Sequence, residues 1–153
     1  MATRASTRST ALKRLVRAQV AALNARDLDR LVALYSEEAV LEFPTSRPVK
    51  GRSAIRAAYA RHFRDWDETV VIERMVVSGQ RVEAQGATTG RHRALQLRIS
   101  GRIPIPLKPY RHAFSASWEI RAGKIRRHHV SYDAGDLVRQ LLEPEGRPRG
   151  GPG

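Results

Sequence analysis

The chain has 153 residues, the size of a single domain with one core and one site. Hydrophobic residues make up 41%, too many for a wholly disordered chain, and no apolar run approaches the roughly 20 residues of a membrane helix. There is no cysteine, which excludes disulfides, thiolate zinc sites and cysteine nucleophiles; the 28 Lys+Arg against 15 Asp+Glu leave a net charge of +13.

Residues 1–9 are basic and rich in Ser and Thr, the composition of a disordered tail. No apolar secretory segment follows, so a signal peptide is not expected and a cytoplasmic protein is. From Leu12 the apolar positions Leu12, Leu15, Val16, Val20 and Leu23 fall at spacings of three and four, a helical stripe that Asn24 can end. Asp27 caps a second short helix with Leu28, Leu31, Val32, Leu34 and Tyr35. Val40–Phe43 reads as a short strand stopped by Pro44. Ser53 is placed to cap a third helix whose inner face holds Ile55, Ala58, Tyr59, His62 and Phe63.

After Asp67 the period changes from helical to alternating. Thr69–Val77 is β-branched, and Ser78-Gly79-Gln80 turns it into Arg81–Thr89, a predicted hairpin. Residues 90–109 contain Gly and Pro enough for a long loop or interrupted strand ends. Tyr110–Arg121 then alternates with Phe114, Ala116, Trp118 and Ile120 on one face. Ala122-Gly123 leads into a last strand, Lys124–Asp133, and Asp133 caps a closing helix with Leu137, Val138, Leu141 and Leu142. Residues 143–153, rich in Gly and Pro, read as a second disordered tail. The expected class is α+β, helices on one face of a mostly antiparallel sheet, with the domain spanning 10–142.

The basic excess is mostly guanidinium, 24 Arg to 4 Lys. An Arg-rich coding bias and a polyanionic partner both give such a count. The clusters Arg4–Arg17, Arg91–Arg111 and Arg126-Arg127 are not interleaved with the repeated aromatics that stack on bases. A nucleic-acid partner is therefore not expected, and an anion- or RNA-associated protein remains a third reading of function.

Ala22-Leu-Asn-Ala-Arg-Asp-Leu-Asp-Arg-Leu31, Tyr35-Ser-Glu-Glu-Ala-Val-Leu-Glu-Phe-Pro44, Gly51-Arg-Ser-Ala-Ile55 and Gly123-Lys-Ile125, followed by His128, Tyr132-Asp133 and Leu137-Val-Arg-Gln-Leu141, carry a resemblance. Their order and spacing over residues 12–142 resemble the nuclear transport factor two-like superfamily, in its SnoaL-like branch of polyketide and ester cyclases. The resemblance implies a cone: a curved, mixed, mostly antiparallel sheet wrapped around N-terminal helices, with a ligand cavity at its open end and a closing C-terminal helix. It also implies homodimers that pair through the outer sheet face. Where SnoaL-type aldol cyclases carry their acid/base aspartate and a histidine, this chain has Val130 and Ala116. The histidine earlier on the last strand does match, at His128.

Since Val130 faces the cavity in that alignment, period two puts His128 and Tyr132 on the same face. A buried neutral imidazole is a base, and a phenol beside it stabilises an oxyanion, so these two are the candidate catalytic pair. Tyr59, Trp66, Phe114, Trp118 and Val130 are candidate ligand-binding residues, with Glu42 as a cavity carboxylate or a solvent-facing one. Asp133 reads as a helix cap. The adjacent His128-His129 point to opposite faces, and His62, His92 and His112 lack ligand spacing, so neither metal nor cofactor is expected. The expected function is a small-molecule pocket protein, a cofactor-independent cyclase, isomerase or dehydratase acting on an apolar carbonyl substrate; the second reading is a non-catalytic binding or dimerisation module. The polar outer face, with Ser115, Ser117, Glu119, Arg127, His129 and Ser131, predicts at most a modest, wet homodimer.

Overall fold

A computed structural model describes residues 3–92 and 109–142. The helices are α1 (Arg4–Ala25), α2 (Leu28–Ala33), α3 (Arg52–Asp65) and α4 (Ala134–Leu142). The strands are β1 (Tyr35–Glu42), β2 (Val49–Lys50), β3 (Trp66–Ser78), β4 (Arg81–His92), β5 (Tyr110–Arg121) and β6 (Lys124–Tyr132). They form one six-stranded sheet in the order β2-β1-β6-β5-β4-β3. The β1–β6 pair is parallel and the other pairs are antiparallel. This is the expected α+β cone, an open curved sheet with helices on its inner face.

Several boundaries differ from those the sequence suggests. The first helix starts at Arg4, within the segment read as a tail, because the Thr3 side chain accepts from the backbone of Ser6 and caps it. Its buried line runs through Leu12, Val16, Gln19 and Ala22. Asn24 does not end this helix. It pins α1 to β3, accepting from the Val70 N–H at 2.8 Å and donating to the Val70 carbonyl at 2.9 Å. The helix ends at Arg26, which takes the left-handed conformation at φ 57° and sends its guanidinium to the Trp66 carbonyl and the Asp67 carboxylate, both at 2.8 Å.

Tyr35 does not continue α2. That helix closes at Leu34, and the Ile125 N–H donates to the Leu34 carbonyl at 2.9 Å. The chain is thereby turned into the parallel ladder, and Tyr35 becomes the first residue of β1. Gly51, at φ 91°, rather than Ser53, precedes α3. Gly90–His92 extend β4, the strand-end alternative for this stretch; Gly90 pairs with Glu68 on one side and Tyr110 on the other. Both the remainder of the stretch, 93–108, and the expected tail at 143–153 lie outside the described residues.

The core is continuous between the helices and the inner sheet face. Val16, Leu31, Tyr35, Leu41, Ile55, Val82, Trp118 and Ile125 are all buried in it. The alternation read in β5 holds: Phe114, Ala116, Trp118 and Ile120 are buried, and Ser115 and Glu119 are exposed. Asp133 caps α4, its carboxylate accepting from the Asp136 N–H at 3.0 Å. The helix docks through Gln140, which bonds both the N–H and the carbonyl of Arg111. Among the described residues no helix is long and apolar enough to cross a membrane.

Candidate functional site

Between α1, α3 and the inner sheet face lies a cavity of about 360 Å³. Three cross-strand rows of the β5–β6 ladder build one wall: Trp118 with His128, Ala116 with Val130, and Phe114 with Tyr132. Tyr59 and His62, one turn apart on α3, face them, and Trp66 and Glu68 on β3 close the side. Of the residues expected here, Tyr59, Trp66, Phe114, Trp118, His128, Val130 and Tyr132 all line this cavity. Glu42 does not. It lies on the outer face, where it accepts from Arg127 at 2.9 Å and approaches His129 at 3.6 Å. Period two explains this correction: Ala39 and Leu41 are buried in β1, so Glu42, next to Leu41, points the other way.

Two polar clusters meet the cavity. The first joins His128, Tyr35, Tyr59 and Gln19. The Tyr35 hydroxyl is 2.7 Å from the Tyr59 hydroxyl and 2.9 Å from His128 Nδ1, and it accepts from Gln19 Nε2 at 3.3 Å. Arg52 holds this end of β1 in place by donating to the Tyr35 carbonyl at 2.6 Å and 3.1 Å. The His128 ring stacks on Trp118, centroids 4.8 Å apart. Burial, with the charge of His129 second, lowers the His128 pKa to about 3. Burial also pushes Tyr59 up to about 12 and holds Tyr35 well above the usual phenol range. The whole cluster is therefore uncharged at neutral pH. Gln19 Oε1 and Trp118 Nε1 are buried without a hydrogen-bond partner.

The second cluster centres on Glu68. Its carboxylate accepts from His62 Nε2 at 3.0 Å and from the Tyr110 hydroxyl. Burial opposes the charge, but the bonds from His62 and Tyr110 and the nearby imidazoles outweigh it, so Glu68 lies below its ordinary range. Aromatic rings continue from there around the rim. His62 stacks on Trp66, Trp66 meets Tyr110 edge-on, Tyr110 stacks on His112, and His112 lies 4.7 Å from Tyr132. Tyr132 thus belongs to this belt, and the phenol that touches His128 is Tyr35.

Sequence reasoning missed Gln19, Tyr35, His62, Glu68, Tyr110 and His112. Gln19 carried a signal, a polar residue three after Val16 and four before Leu23 on the inward line of α1. Among the described residues no three His, Asp or Glu side chains come together as a metal site.

These features define a cone with a pocket of small-molecule size. A family model described as a SnoaL-like domain matches residues 16–128, and the chain belongs to that family. It is also similar to a candidate polyketide cyclase from Xanthomonas campestris pv. campestris, at 21% identity and TM-score 0.74, over 88% of this chain and 98% of that one. A candidate polyketide cyclase from Pseudomonas putida KT2440 is 26% identical, TM-score 0.69, over 84% and 96% of the two chains. An LEH-like epoxide hydrolase from M. tuberculosis is 21% identical, TM-score 0.69, over 87% and 90%.

Proposed function

We propose that this SnoaL-like protein is a cofactor-independent enzyme that moves protons on a small, largely apolar carbonyl compound held in the cavity, in isomerisation, cyclisation or dehydration chemistry. One observation carries this reading: a neutral, buried His128 lines an apolar cavity with Nδ1 committed to a phenol and Nε2 left over. A ring so fixed presents its second nitrogen to a ligand in one orientation. Val130 and Ala116, at the positions of the aldol cyclases' acid/base pair, are direct cross-strand partners. They make the middle row of the wall apolar, and the polar groups occupy the adjacent row. Because its pKa is about 3, His128 does not hold a full extra proton at neutral pH. It works by exchanging one proton for another while staying neutral.

The apolar middle row equally suits a second reading, a binding protein without catalysis. Deuterium uptake separates the two. A panel of small neutral ketones in D₂O, followed by proton NMR, should include members whose α-protons exchange faster with the protein. His128→Ala should lower that rate by about 10²-fold, the usual worth of a positioned acid/base. Binding without exchange would establish the second reading, and exchange unchanged by His128→Ala would remove His128 from the chemistry.

A further inference from the structure

The hydroxyl of Tyr35 has one hydrogen and two lone pairs but three partners. Gln19 Nε2 donates to it, which uses one lone pair. Of the remaining two contacts, Tyr59 at 2.7 Å and His128 Nδ1 at 2.9 Å, it must donate to one and accept from the other. The three side chains therefore have only two proton orders. In the first, His128 Nδ1–H donates to Tyr35, Tyr35 donates to Tyr59, and the Tyr59 proton and the bare Nε2 are left for the cavity. In the second, Tyr59 donates to Tyr35, Tyr35 donates to Nδ1, and Nε2 carries the hydrogen. Both ends of the chain, Tyr59 and His128, line the cavity, while Tyr35 is fully buried behind them.

We propose that Tyr59, Tyr35 and His128 form a proton relay with both ends on one ligand, and that the ligand is a neutral, enolisable carbonyl compound whose two tautomers the relay interconverts. This deepens the proposed function and rests on it for the presence of a substrate. The step balances. The ligand gives a proton to His128 Nε2, the Nδ1 proton passes to the Tyr35 oxygen, the Tyr35 proton passes to the Tyr59 oxygen, and the Tyr59 proton passes to a second atom of the ligand. No net charge moves, and the chain changes from the first order to the second. A water molecule taking the Nε2 proton and returning one to Tyr59 resets it by the same route. Stepwise transfer would create an imidazolium or a phenolate in a place that burial makes costly for either. Tyr35 touches no ligand; it is a positioning residue that links two groups which do.

The deciding measurement is ¹⁵N NMR of the His128 ring in the intact protein near pH 7, before any ligand is added. Both proton orders populated should give ring shifts between those of the two pure tautomers, and Tyr35→Phe should move them to one extreme. A single Nδ1–H tautomer in the wild type would mean that only the first order is populated, and it overturns the relay. A single Nε2–H tautomer also overturns it.

The second arm uses benzoylacetone, a neutral 1,3-diketone, as the probe, with ketonisation followed by ultraviolet absorbance. The wild type should accelerate it with a curved rate dependence on deuterium fraction, the mark of several protons in flight. Tyr35→Phe should lose about 10²-fold in kcat with KM unchanged and a linear dependence. An undiminished rate in Tyr35→Phe overturns the relay. Two populated tautomers with no acceleration of the probe would support the chain as described and count against the enzyme reading instead.

Discussion

Tyr110 on β5 donates to the Glu68 carboxylate on β3, reaching across a whole intervening strand. It can do so because the residue between them in the row is Gly90. A β-carbon there would sit 2.9 Å from the Glu68 Cα and 3.0 Å from its Cγ, and closer still to the Asp67 carbonyl. The missing side chain is thus a condition for the second cluster.

Gly90→Ala should therefore act on sheet and site together. We expect a loss of about 1–3 kcal/mol from overpacking against β3. The Tyr110–Glu68 bond should also break, exposing Glu68 and returning its pKa toward the ordinary carboxylate range. Urea unfolding and carboxyl ¹³C titration measure the two effects, and unchanged stability would contradict the contact geometry.

Stability should fall with acidification through the window set by His128. Its folded pKa is about 3 against an ordinary 6.5. Above pH 6.5 the imidazole is neutral in both states and contributes no pH dependence. Between 6.5 and 3 the unfolded chain binds the proton and the folded one does not, so stability declines as pH drops. The full excursion is about 5 kcal/mol. Glu68, also depressed, adds its loss only lower, as pH falls through and below its ordinary value of 4.5. Urea midpoints between pH 7.5 and 5 should fall in the wild type and fall less in His128→Gln. Equal slopes would mean that the imidazole is not buried.

Asp133 and His128 should separate stability from activity. Asp133→Ala removes the acceptor for the Asp136 N–H and should cost about 1 kcal/mol, the usual worth of a cap, with activity kept in the folded fraction. His128→Ala should lower kcat/KM by about 10²-fold. A reversed pattern, with activity lost in Asp133→Ala alone, would place the chemistry on the helix cap.

The excess positive charge should give only weak, salt-labile nucleic-acid binding. Several arginines are spent on the protein's own carboxylates: Arg26 on Asp67, Arg56 on Asp29, and Arg127 on Glu42 and Glu119. Purely electrostatic binding falls steeply with salt. Fluorescence anisotropy with a labelled RNA should show weak binding that collapses by about 200 mM salt, and a sub-micromolar affinity retained there would favour an RNA-associated protein.

The strands of the second half were legible because alternation is a strong local signal. Parity puts Phe114, Ala116 and Trp118 on one face, and His128, Val130 and Tyr132 on another shared face that the family resemblance assigns to the cavity; all six line it in the structure. Tyr35 was not legible, because Leu28, Leu31, Val32, Leu34 and Tyr35 continue a helical stripe. Only the parallel ladder with β6, formed by residues far away in the chain, ends that helix early. Glu68 escaped because the β-branched run that marks β3 begins one residue later, at Thr69. Local pattern gave the faces of strands, and long-range pairing decided which polar residues met.

That parallel pairing also determines when the site comes into being. Tyr35 and His128 are 93 positions apart, and β1 and β6 join only after the hairpins between them have brought β6 round. Closing so long a loop is entropically costly and slow, whereas β3–β4 can form locally. A chain emerging from the ribosome therefore holds Tyr59, His62 and Glu68 well before it has a pocket. A fragment ending before Lys124 would lack β6, the strand that joins β1 to β5, and His128 with it, so the ability to engage a ligand is acquired late, with the last strand.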